Sequence, residues 1–84
     1  MTITTKRVQT GGLWAKVTDL LGISMTDNTS YSVQVIGTAK VSYSNDSNIT
    51  GYFLLNSPQP FTYNKVSGED FYINAYDATL TIGE

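Results

Sequence analysis

Residues 31–44, YSVQVIGTAKVSYS, place Tyr31, Val33, Val35, Gly37, Ala39, Val41 and Tyr43 on one parity and, apart from Ile36, only polar residues on the other. A period of two belongs to a β-strand with one buried face. Folding the chain back through a two-residue loop at Gly37-Thr38 would set Ile36 against Ala39, Gln34 against Val41 and Ser32 against Tyr43. That arrangement mixes the core and solvent faces. A three-residue loop over 36–38 keeps the parity but leaves Ile36 at a loop tip. A single strand keeps it throughout. Thirteen residues of strand span roughly 43 Å, too long to lie flat in a small domain, so a bend is expected at Gly37, where no side chain opposes it. Such a strand can pair at one end in each of two sheets.

The rest of the chain supports an all-β reading. Apolar residues recur at every second position in short runs divided by Gly, Pro, Asn and Asp clusters, the pattern of antiparallel strands joined by turns. Strands are predicted at 2–8, 14–19, 31–43, 51–55, 61–63, 70–76 and 79–83. Turns are predicted at 10–12, 26–28, 44–48, 56–60, 67–68 and 77–78, each with residues suited to positive φ or side-chain turns. Within 13–21, Leu13, Val17, Leu20 and Leu21 also fit a helical spacing with Gly22 placed to end it, so strand and helix both stand there. Residues 1–84 are read as one domain, a small antiparallel β-sandwich or barrel with one long bent strand.

Six Leu, six Ile, six Val and three Phe make 21 of 84 residues, above the level of about one in five below which chains stay disordered. The chain therefore folds, but a domain of this size has a core that only just offsets its chain entropy. It has no cysteine for a disulfide and neither Cys nor His for a zinc site. Oligomerisation is the remaining supplement. Residues 51–55 and 71–76 carry apolar or aromatic side chains on both parities, from burial between layers or from contact with a neighbouring subunit. The second reading gives a homo-oligomer, a trimer ahead of a dimer, with Trp14, Tyr52, Phe53, Leu55, Tyr72 and Tyr76 as the interface residues.

A net charge of −2 with one basic pair, Lys6-Arg7, argues against binding nucleic acid or an anionic membrane. No apolar run approaches the roughly 18 residues of a membrane span, and the first residues do not read as a signal peptide. Without a secretory signal, the N-x-S/T patterns at Asn28, Asn45 and Asn48 read as turns. No nucleophile has a His or Cys beside it. Asp19, Asp27, Asp46, Glu69, Asp70 and Asp77 all fall at predicted turns or strand ends, so neither an enzymatic role nor a cofactor is expected. Asn45-Asp46-Ser47-Asn48 offers oxygen ligands but lacks the spacing and closing Glu of a calcium loop, and reads as a polar hairpin tip. Trp14 with the tyrosines would also serve as a platform for sugar rings, which keeps a glycan- or receptor-binding module as the alternative function.

Trp14, Tyr31, Val33, Gln34, Gly37, Gly51, Phe71, Tyr72, Ile73, Leu80 and Ile82 follow an order of a Trp, a Tyr-x-Val-Gln strand with a later Gly, a glycine-led strand, and an aromatic strand before an alternating final one. In this the chain resembles the small all-β virion-associated proteins of tailed bacteriophages. Related sequences often follow the Gln with Asn before the Gly; here Val35-Ile36 stand instead. The resemblance implies a non-enzymatic structural protein made in the host cytoplasm and located in the virion. It would be a decoration, head-fibre or tail attachment module whose partner is a phage capsid or tail protein.

Overall fold

The computed structural model describes residues 3–45, 49–56 and 59–83. Seven strands and one short helix follow in order: β1 (Ile3–Val8), β2 (Ala15–Lys16), α1 (Val17–Leu21), β3 (Thr29–Ser44), β4 (Phe53–Asn56), β5 (Gln59–Lys65), β6 (Asp70–Asn74) and β7 (Ala78–Gly83). The fold is all-β, an antiparallel sheet curled into a half-barrel.

β3 organises the whole. Tyr31, Val33, Val35, Ala39 and Val41 are buried and the residues between them largely exposed, as the alternation requires. Its first half pairs with β5 on one side and β7 on the other. Its second half pairs with β4 and β6 in the same way, while β1 adds to β7 and β2 to β6. Two four-stranded arms, β1-β7-β3-β5 and β2-β6-β3-β4, therefore share one strand.

The pairings dictate how sharply β3 bends. Lys65 lies opposite Thr29 and Asp70 opposite Ser44, so the short link 66–69 must join the two ends of β3. That link is a tight turn, with the Glu69 N–H donating to the Val66 carbonyl at 3.2 Å. A flat strand of this length would hold those ends about 50 Å apart; the whole molecule measures 29 × 29 × 20 Å. Tyr43, near one end of β3, instead stacks at 4.6 Å on Tyr63, the partner of Tyr31 near the other end.

Gly37 is the corner. Its φ is +108°, and a Cβ there would lie 3.1 Å from the Asp77 carbonyl oxygen and 3.3 Å from the Ala78 Cα. On that side, residues 75–77 of the β6–β7 connection face only residues 38–39 of β3, a bulge of one residue that increases local bending. On the other side, β4 and β5 keep one register across the corner, Thr38 opposite Asn56 and Val35 opposite Gln59. Phe71, Ile73, Leu80, Val8, Val17, Val33, Val35 and Val41 fill the space between the arms.

Four expectations are corrected. The strand predicted at 14–19 is a two-residue bridge followed by α1, because Val17, Leu20 and Leu21 turn one helical face to the core and Gly22, at φ 66°, donates its N–H to the Thr18 carbonyl to end the helix. Leu13, included in that helical spacing, is 71% exposed. The turn predicted at 56–60 is strand at Asn56, Gln59 and Pro60; among the described residues β5 pairs with β3 alone, and an edge strand is where a proline is tolerated. Gly51 and Tyr52 precede β4 rather than belong to it, and Ala78 begins β7 rather than closing a turn. The predicted hairpin tip falls largely at 46–48, outside the described residues.

Candidate assembly surface

β4 pairs with β3 on one side and with no other strand among the described residues, so it forms the margin of its arm. It is anchored where it begins, the buried Ser42 hydroxyl donating to the Gly51 carbonyl at 2.6 Å, and where it ends, the Thr38 hydroxyl donating to the Asn56 side-chain oxygen at 3.1 Å. Leu55 of β4 is buried, whereas Phe53 and Leu54 of the strand and Tyr52 just before it are 64, 53 and 55% exposed.

Those three residues belong to two faces. Phe53 shares the inner face with Val41 and Leu55 and ends 6.4 Å from the Tyr43 ring. There, Val41, Tyr43, Phe53, Leu54, Leu55 and Phe61 line an open apolar cleft of about 380 Å³ between the two arms. Beneath it the Tyr43, Phe61, Tyr63 and Phe71 rings pack on one another at centroid distances of 4.6 to 6.1 Å. Burial, then the neighbouring Glu69 carboxylate, raises the Tyr43 phenol above its ordinary value. Tyr63 rises further, first through burial and then because its hydroxyl donates to Glu69 Oε1 at 2.9 Å. Both phenols stay neutral at physiological pH.

On the outer face Leu54 lies opposite Lys40. The Lys40 ammonium sits 5.0 Å from the centre of the Tyr52 ring, a favourable cation–aromatic arrangement. Trp14, half-buried, meets Tyr52 at 6.1 Å with the rings tilted by 51°. Tyr76, 79% exposed, leans over the turn at Gly12, whose φ is +85°.

Of the six residues singled out from sequence, Tyr52 and Phe53 come together at β4, Trp14 joins Tyr52, and Tyr76 stands at the corner. Leu55 and Tyr72 are buried within the chain itself at 5 and 4% exposure, so neither has surface to offer a partner. Sequence reasoning missed Leu54, Lys40, Tyr43 and Phe61. A usable signal was present: no charged residue occurs between Asp46 and Lys65. That uncharged stretch contains the whole of β4.

Apart from Lys40, three charged pairs lie away from β4. Arg7 Nε and Nη2 donate to the two carboxylate oxygens of Asp77 at 2.8 and 2.9 Å, and this contact holds the Asp77 carboxyl below its usual range. Lys65 donates to Asp27 at 2.8 Å, and Lys16 lies 3.4 Å from Asp70. No group of three or more His, Cys, Asp or Glu side chains suited to a metal ion occurs among the described residues. Compared with known families, curated proteins and solved structures, the chain matches no family model, no curated protein and no solved structure.

Proposed function

We propose that this protein is a non-enzymatic structural component of a phage particle, a homo-oligomeric decoration or attachment module of a capsid or tail protein, with β4 as a protein-contact strand on which its assembly depends. The observation behind the protein-binding part is the uncharged β4 margin, apolar on both faces and exposed at Tyr52, Phe53 and Leu54. Edge strands of stable monomers are ordinarily guarded by charge, proline or cover, and a strand lacking these is suited to contact with protein. The phage assignment rests on the sequence resemblance carried by Trp14, the Tyr31–Gln34 pattern, Gly51 and the Phe71–Ile73 strand.

The test is to add purified protein to particles lacking it and to measure occupancy at low and high salt. Saturable binding that changes little with salt is expected, because an uncharged contact leaves little for ions to screen. Replacing Leu54 by Lys should abolish it.

One observation favours a second reading, a glycan- or receptor-binding module of a fibre tip: Trp14, Tyr52 and Lys40 meet on the outer face. Saturable oligosaccharide binding lost in Trp14→Ala, with no binding to any virion component, would replace the first reading by this one.

A further inference from the structure

We propose that the occupant of the β4 margin is β4 of a second copy of this chain, paired antiparallel about a two-fold axis with Leu54 opposite Leu54. The inference rests on the reading of β4 as a contact surface and adds the partner and the register. Strands paired about a two-fold axis perpendicular to the sheet must place residues of the same face opposite one another, so only registers that set a residue against its own copy are allowed. Centring on Leu54 sets Phe53 against Leu55 and Tyr52 against Asn56. The partner's Phe53 then lies beside Leu55 at the apolar cleft, while the two Leu54 side chains meet on the outer face next to the Lys40 stems.

Electrostatics favours this partner over β1, one of the other margins of the same molecule. β1 closes the opposite arm and carries Lys6 and Arg7, both exposed. Lys6 Nζ donates to the Leu20 carbonyl at 2.8 Å, and Arg7 holds Asp77. A head-to-tail contact of β4 with β1 would press those charged groups against Phe53 and Leu54 and remove them from water. Self-pairing of β4 sets no charged residue opposite another; the nearest charge, Lys40, lies one strand away with its ammonium over the Tyr52 ring. A head-to-tail ring is what the trimer expected from sequence would use, whereas paired β4 strands close at two copies.

The chain has no cysteine, so single cysteines report the contact cleanly. Opposed Cα atoms in an antiparallel pair lie within disulfide reach. Leu54→Cys should therefore oxidise to a covalent dimer at concentrations where Thr5→Cys on β1 stays monomeric, and a mixture of the two should give no heterodimer. Light scattering should return about twice the 9.2 kDa chain mass, falling to the chain mass on dilution. Leu54→Lys should be monomeric with an unchanged circular dichroism spectrum, since Leu54 is half-exposed. A monomer at every concentration, an oligomer that survives Leu54→Lys, or cross-linking of Thr5→Cys equal to that of Leu54→Cys would overturn self-pairing. If the wild-type chain is monomeric yet Leu54→Lys still abolishes particle binding, self-pairing falls and β4 remains the contact surface for another protein. If neither assembly nor particle binding responds to Leu54→Lys, both fall.

Discussion

β4 and β6 lie on the two sides of the same half of β3, and both read in sequence as runs with aromatic or aliphatic residues on each parity. β6 is enclosed: β3 and β2 flank it, and Phe71, Tyr72 and Ile73 are buried whichever face they point to. β4 has β3 on one side alone, and three of the four residues 52–55 are exposed. Two-sided hydrophobicity thus has two origins in one small protein. In β6 it reflects cover supplied by the chain's own elements, with α1 and β2 packed nearby. In β4 no described element supplies that cover, which is the physical basis for assigning it to a partner.

The contrast breaks most visibly on truncation. Ile73, fully buried opposite Val41 and Ala15, should cost about 2–5 kcal/mol as Ile73→Ala, the range for deleting a packed aliphatic side chain. Leu54→Ala, measured at dilution, should change stability by less than about 0.5 kcal/mol. Urea unfolding of both variants checks the pair, and equal losses would erase the distinction. The corner that separates the arms comes next. Gly37→Val forces a β-branched side chain into φ +108° and against the Asp77 carbonyl, and should cost about 1–3 kcal/mol. A change of a few tenths would show that the bend does not depend on this glycine.

The smallest effect concerns the ends of β3, held together by Tyr63 and Glu69. An unfolded tyrosine ionises near about pH 10, whereas folding raises the Tyr63 phenol through burial and its bond to Glu69. The stabilisation linked to that proton is complete below about pH 10 and is lost as pH rises from there towards the folded value. Urea midpoints should therefore fall between about pH 8 and about pH 11. Tyr63→Phe should reduce the fall without abolishing it, since the Tyr43 phenol is raised as well.

The sequence made one part of this plain and concealed another, for identifiable reasons. Alternation over 31–43 located β3, its buried face and its corner, because side-chain parity is a local property that survives any choice of neighbours. The turns near Gly11, Asn28 and Gly68 were legible too, all three residues having positive φ. Parity says which face is buried but not how many strands lie alongside, so it could not separate β4 from β6 and grouped the buried Leu55 and Tyr72 with the exposed Tyr52, Phe53 and Tyr76. Pro60 misled in the opposite direction: proline ends most strands, and only the position of β5 at a margin makes it harmless. In α1, five residues are too few for a helical period to stand out from an alternating one.

Hydrogen exchange at the backbone amides of 53–56 and 71–73, followed as protein concentration is lowered, tests the central claim most directly. The account predicts that protection in β6 stays constant while protection in β4 declines as assemblies dissociate, because β6 is sealed by its own chain and β4 by a partner. Protection in β4 that is the same at every concentration, or a parallel decline in both strands, would contradict it.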